Sequence, residues 1–229
     1  MILIVDCYLD EKGGTSNFAR QLRGKQWVSV RPTREPLPKI SDWSGVIITG
    51  SGACLADGYE GEGLRKGWTS ELVAWTKKIV DADIPLLGVC FGHQILGAAY
   101  GNGVQKAHPP EVGCKKIKVV QEDPLFHQLQ PYFYSFVSHE DEIRGAGDLI
   151  VLASSEDCEI HAVRVPNKKV WGVQFHVEML SEEIENLLRY RKQKHSELDI
   201  DIEHELSILK SNPPIATTFF SAFLRQLDT

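Results

Sequence analysis

What this chain of 229 residues lacks narrows its function before any motif is read. It has no apolar run near the roughly 20 residues that span a bilayer, so no membrane partner is expected. The opening Met1-Ile2-Leu3-Ile4-Val5-Asp6 is too short for a secretory signal and lacks its cationic flank. There is no long basic run. A formal net charge of −6 and a sequence pI of about 5.8 argue against nucleic acid as a partner. The densest positive patch, Arg189-Tyr190-Arg191-Lys192-Gln193-Lys194, reads as the solvated face of a helix. The cysteines (Cys7, Cys54, Cys90, Cys114 and Cys158) are odd in number and scattered. That is no secreted disulfide framework, and the cytoplasm is the expected compartment.

Missing motifs remove further classes. C-x-x-C and H-E-x-x-H are both absent, so no metal is expected. There is no G-x-x-x-x-G-K-[ST] loop to cradle ATP, and no room for a second large catalytic domain. Gly50-Ser51-Gly52 follows a strand pattern, but Leu55 stands where a dinucleotide fingerprint needs its third glycine. No cofactor is therefore expected. With no repeat, low-complexity tract or linker, residues 1–229 read as one α/β domain of ordinary 42% hydrophobic content.

What is present alternates between two periods. Strands are expected at 1–5, 27–31, 46–49 and 84–89, and helices at 15–22, 68–81 and 93–100. Thr15 or Ser16 offers a cap for the first helix. Residues 56–67, rich in glycine and acid, read as a mobile surface loop. On 68–81, Leu72, Trp75, Thr76 and Ile79 share one side. Strand alternating with helix predicts an open, mostly parallel sheet with helices on both faces. Beyond it, strands at 115–120, 132–137, 149–153, 159–165 and 169–175 are joined partly by short turns, which predicts an antiparallel extension. A C-terminal helical segment, 181–229, follows, with helices at 181–194, 200–210 and 217–227. Ser181 with Glu182 and Glu183 gives the first an acid-rich start, and Asn212-Pro213-Pro214 breaks the second.

The most informative stretch is Gly88-Val89-Cys90-Phe91-Gly92-His93-Gln94, where an apolar strand meets a helix. A cysteine ending such a strand is ordinarily a small buried hydrophobe. Here glycines stand two residues to either side, the pattern of a nucleophile elbow with Cys90 in place of serine. The helix N-terminus behind it favours a thiolate. A second segment weighs the balance toward chemistry. In Val173-Gln174-Phe175-His176-Val177-Glu178, an extended backbone puts His176 and Glu178 on one face. A carboxylate so placed holds the imidazole tautomer and stabilises the imidazolium formed in proton transfer. The same H-x-E also begins the zinc deaminase signature, but the P-C-x-x-C that must follow is absent.

Together the two segments resemble a class I glutamine amidotransferase domain, whose nucleophile motif is G-x-C-x-G-x-Q and whose triad ends in H-P-E. The likeness runs from the first strand to Glu178. It is nearest to stand-alone domains similar to the amidotransferase part of GMP synthase and to γ-glutamyl peptidases. Val177 replaces the family proline, and valine keeps an extended backbone. The resemblance implies a flavodoxin-like sheet and a catalytic Cys90, His176 and Glu178. It implies oxyanion donors at Phe91 and at the turn Gly50-Ser51, where the family often has Gly-Gly-Pro. Glu111-Val112-Gly113 resembles the family E-x-G. Ser138-His139-Glu140-Asp141 resembles its S-H-x-D turn, so that Ser138, His139 and Gln94 would hold the amino-acid end of the substrate. The implied reaction is hydrolysis of a γ-glutamyl amide, glutamine above all, through a cysteine thioester. The ammonia goes to a separate synthetase subunit, or the chain is a free-standing γ-glutamyl hydrolase. A non-catalytic glutamine-binding domain is the remaining reading, against which retention of all three triad residues stands.

Overall fold

The computed structural model describes residues 1–10, 14–194, 199–212 and 215–228. Nine strands form one sheet in the order β2-β1-β3-β4-β9-β8-β7-β5-β6. Its first five members are β1 (Ile2–Val5), β2 (Trp27–Val30), β3 (Gly45–Ile48), β4 (Leu86–Val89) and β9 (Val170–Val173). All pair in parallel.

Strand periodicity sends alternate side chains to opposite faces, and each face has its own core. Ile2, Ile4, Ile47, Leu87 and Val89 point to one side. They pack there with Phe18 of α1 (Thr15–Ala19) and with Phe219, Phe220 and Phe223 of α6 (Ala216–Leu227). Leu3, Val5, Val46, Ile48 and Leu86 point to the other. They meet Trp68, Leu72, Trp75 and Ile79 of α2 (Trp68–Asp81) and Ile95 and Leu96 of α3 (Phe91–Ala99). Helices thus cover both faces, as the alternation predicted. The three α6 phenylalanines are fully buried, and truncating any one to alanine costs about 3–5 kcal/mol, so this last helix is integral to the sheet.

The antiparallel side holds β8 (Ala162–Arg164), β7 (Ile150–Ser154), β5 (Gly103–Val119) and β6 (Tyr132–Arg144). β5 and β6 are far longer than the segments expected at 115–120 and 132–137. In β5, Pro109 and Pro110 have no N–H for the ladder, and the register shifts between Lys106 and Glu111. Ser138 to Asp141 is a strand, not a turn: Ser138 pairs with Val112 and His139 with Glu111.

Two helix starts differ from expectation. Neither Thr15 nor Ser16 caps α1; the Asp6 carboxylate at the end of β1 accepts from Gly14 N–H, Thr15 N–H and the Thr15 hydroxyl. The loop 56–67 is tied to α2, because the Glu60 carboxylate accepts from Gly67 N–H at 2.7 Å and Thr69 N–H at 3.1 Å. On the C-terminal side, α4 (Ser181–Lys194) starts with Glu183 accepting from Leu180 N–H. Asp201 caps α5 (Ile202–Ser211) by accepting from His204 N–H. Pro213 and Pro214 lie outside the described residues.

Candidate active site

Cys90 occupies the turn between β4 and α3 with φ 53° and ψ −100°, a backbone conformation that holds about 1–3 kcal/mol of strain in a non-glycine residue. The surrounding contacts hold it there. Cys90 N–H donates to Val173 O at 2.7 Å, and its own carbonyl accepts from His93 and Gln94 N–H. The flanking glycines are required by close approach. A β-carbon on Gly88 would fall 2.3 Å from Gly92 O, and one on Gly92 would fall 2.4 Å from Ile48 O. Any side chain there would drive helix from sheet. With His93 and Gln94 N–H engaged, Phe91 and Gly92 are the first-turn amides with no intrahelical acceptor by position. The Phe91 ring is turned away, against Trp68 at 5.5 Å.

The Cys90 thiol is 5% exposed. It faces Ser138 O at 3.8 Å and receives the Gln174 amide at 3.6 Å. His176 follows β9 and is docked by main-chain bonds. Its N–H donates to Phe136 O at 2.9 Å, and its carbonyl accepts from the Ser135 hydroxyl. Its Nδ1 lies 2.8 Å from Glu178 Oε1, and the Glu178 carboxylate is fully buried. Burial opposes a charged imidazole, but the Glu178 carboxylate and hydrogen bonds to Cys90 and Glu178 outweigh it and push His176 up to about 10. A β-carbon placed on Gly50 would lie 3.4 Å from His176 Cε1 and 3.8 Å from Cys90 Cβ, so sulfur and imidazole flank one turn. The other buried histidines are poor bases: burial above all lowers His93 to about 3 and His161 to about 4.

Cys90 and His176 line one cavity of about 630 Å³, with Ser51, Gln94, Ser138 and His139 also on its wall. The polar side chains among them are largely engaged already. The Ser51 hydroxyl donates to Cys7 O at 2.7 Å. The Gln94 amide donates to Asp141 O at 2.7 Å and to Gln174 Oε1 at 3.3 Å. His139 has both ring nitrogens in use, on Asp141 O and on Glu111 at 2.7 Å. What this wall offers a ligand is therefore mainly main-chain groups.

Three contributors escaped the sequence reading. Gln174 touches the sulfur. Tyr8 lines the cavity beside the Gly50 turn. Arg191 belongs to the basic patch read as a solvated face, yet its side chain is 13% exposed and lies on the cavity wall. It donates to the Ser138 hydroxyl at 2.8 Å and to Glu140 at 2.5 Å. Helical periodicity could have flagged Leu187 and Arg191 as neighbours at i and i+4, but not what they would face.

Among the described residues, Glu111, His139 and Cys158 bring potential ligand atoms within 4.8 Å of one another. Burial raises the Cys158 thiol to about 12, with the Glu111 charge adding to it. Burial also opposes the Glu111 carboxylate, but the His139 hydrogen bond and charge hold it below its usual range. Glu111 and His139 are thus partnered with each other at 2.7 Å, beside a thiol that burial keeps neutral. Among the described residues, no helix is long and apolar enough to cross a membrane.

Known proteins share the sequence pattern and the fold of this chain. Residues 3–192 match the model of the family described as glutamine amidotransferase class-I, and the chain belongs to that family. The chain is 38% identical over 154 residues to the glutamine-hydrolyzing GMP synthase subunit of Methanococcus aeolicus, an alignment spanning 66% of this chain and 74% of the relative. It is likewise 38% identical over 151 residues to the corresponding subunit from Methanothermobacter thermautotrophicus, across 65% and 73% of the two chains. A glutamine amidotransferase of Thermotoga maritima shares its fold with a TM-score of 0.79, covering 99% of this chain and 96% of that one at 18% identity. A glutamine amidotransferase of Methylobacillus flagellatus has a TM-score of 0.76 at 19% identity, covering 98% and 94%.

Proposed function

We propose that this chain hydrolyses the side-chain amide of glutamine or a related γ-glutamyl compound through a thioester on Cys90. The observation that carries this reading is the strained elbow cysteine, which shares one cavity wall with a histidine held by a buried glutamate. The Cys90 sulfur attacks the γ-carbonyl carbon. The carbonyl π pair moves onto oxygen, and the thiol proton resides on His176. His176 returns that proton to the nitrogen as the C–N bond breaks, releasing ammonia or an amine. Water, deprotonated by His176, then cleaves the thioester to glutamate. Glu178 keeps the imidazole in the required tautomer throughout. Phe91 N–H and the main chain at Gly50-Ser51 face the developing oxyanion, and one such donor is worth about 2.7–4 kcal/mol of barrier. Gln94, Ser138 and His139 hold the amino-acid end, chiefly through the main chain of β6. Residues 1–229 act as a single domain working in the cytoplasm, in keeping with its free cysteines.

By analogy with the GMP synthase relatives, the ammonia passes to a separate synthetase chain. A second reading, a free-standing γ-glutamyl hydrolase, is favoured by the cavity. At about 630 Å³, with Leu187, Arg191 and Lys194 of α4 on its wall, it lies mid-range for sites that enclose ligands larger than one amino acid. A panel of glutamine, glutathione and γ-glutamyl amines, assayed with and without a co-purified synthetase, separates the two. Glutaminase activity that rises on synthetase binding supports transfer, and unaided turnover of the larger compounds supports the hydrolase. No turnover of any of them contradicts both and leaves a binding domain.

A further inference from the structure

Tyr8 stands just beyond β1, held by its main chain and by packing of its ring. Its N–H donates to Asp6 Oδ1 at 3.1 Å, and its carbonyl accepts from Arg31 Nη2 at 2.9 Å. Its ring lies so close over Gly14 that a β-carbon there would fall 2.1 Å from Tyr8 Cε2. Yet the hydroxyl at the end of this anchored ring is buried and has no hydrogen-bond partner among the described residues. Buried polar groups are nearly always paired, so an orphaned one asks for an explanation.

Its position supplies one. The point where a β-carbon on Gly50 would sit is 3.5 Å from Tyr8 Oη, 3.4 Å from His176 Cε1 and 3.8 Å from Cys90 Cβ. The hydroxyl therefore looks onto the turn beside the nucleophile. The neighbouring hydroxyls are engaged: Ser51 with Cys7 O and Ala53 N–H, and Thr49 with Gly50 O and Cys7 N–H. We propose that Tyr8 is a catalytic residue of this site, its hydroxyl donating a hydrogen bond to the γ-carbonyl oxygen as that oxygen becomes an oxyanion. This rests on the function proposed above. The balance is simple. The sulfur–carbon bond forms, the π pair moves to oxygen, and the Tyr8 O–H bond stays intact. The pair returns when the C–N bond breaks. Burial first, then the nearby Glu178 and Cys90 charges, raise the phenol well above its ordinary value, so it stays a donor across the working range. Glu178 Oε2 is also buried and unpaired, so a role through Glu178 is the competing account.

Tyr8→Phe deletes the hydroxyl and keeps the ring. With wild-type turnover of a γ-glutamyl substrate as reference, and competent sites counted by iodoacetamide titration of Cys90, kcat should fall roughly 100-fold with KM within about twofold. The pH limb of kcat belonging to His176 should not move. The unfolding temperature should not drop, since no protein partner is lost. Wild-type kcat in Y8F overturns the proposal while leaving the proposed function intact. A loss that comes with a displaced pH limb also overturns it and makes Tyr8 a positioning residue acting through Glu178. Absence of turnover in the wild type itself overturns the function and this role together.

Discussion

β1, β3, β4 and β9 are four residues each and buried along their length, whereas β5 and β6 run 17 and 13 residues; β5 interleaves buried with exposed positions, and β6 is exposed only at its two ends. The short parallel strands end in the elbow of Cys90 and in the segment carrying His176, so the two groups proposed to react hang from fully buried strands. The long antiparallel strands, with α4 behind them, supply Ser138, His139, Glu140 and Arg191 to the cavity. In the proposed reaction the parallel half sets the chemistry, and the antiparallel half sets what is held against it.

The largest test of that division pairs one substitution from each side. Cys90→Ala should lower kcat by at least about 10⁴-fold in a folded protein. Arg191→Gln, which removes charged hydrogen bonds to Ser138 and Glu140 of β6, should raise KM roughly 10-fold with kcat little changed. Kinetics with the reverse pattern would break the division. Next in size is a glycine pair. Gly88→Ala forces a β-carbon onto the Gly92 carbonyl and should cost about 3 kcal/mol in urea unfolding. In Gly103→Ala on β5 the nearest atom is Arg144 O at 3.8 Å, so the change should stay within about 0.5 kcal/mol. Equal losses at the two sites would show that the elbow is not specially tight.

A smaller effect probes stored strain. Glycine tolerates φ 53° where alanine does not, so Cys90→Gly should be about 1 kcal/mol more stable than Cys90→Ala by denaturant unfolding. A final test concerns pH. Folding lifts His176 above its ordinary 6.5 to about 10, so its contribution to stability is complete below pH 6.5 and fades as pH climbs toward 10. Part of that lift comes from Cys90, so in Cys90→Ala the fade should be over at a lower pH. Urea midpoints from about pH 6 to 10 that decline identically in both proteins would rule out the coupling.

The same contrast between halves explains what was legible in the sequence. Apolar runs and glycine spacing are local signals. The turn at Cys90 was readable from Gly88 and Gly92, the bounds of α2 from its helical periodicity and those of α4 from its acid-rich start. The early part of β5 was not, because Pro109 and Pro110 look like loop residues and only a partner strand makes them part of a ladder. The segment 138–141 is polar and reads as a turn until β5 pairs with it. Arg191 shows locally only as part of a basic helix face, and Tyr8 carries no local mark. What they face is decided by the packing of α4 and β1 against residues far away in the chain, which no local pattern records.

The central claim is that the Cys90 sulfur becomes acylated during turnover. Acid-quenched protein, taken during steady-state hydrolysis of glutamine or a γ-glutamyl amine and digested for mass spectrometry, tests it directly. The account predicts one added γ-glutamyl group on the peptide bearing Cys90, and none in Cys90→Ala. Sustained hydrolysis with the adduct on Cys54 or another cysteine, or with no adduct under conditions that trap thioesters, would contradict it.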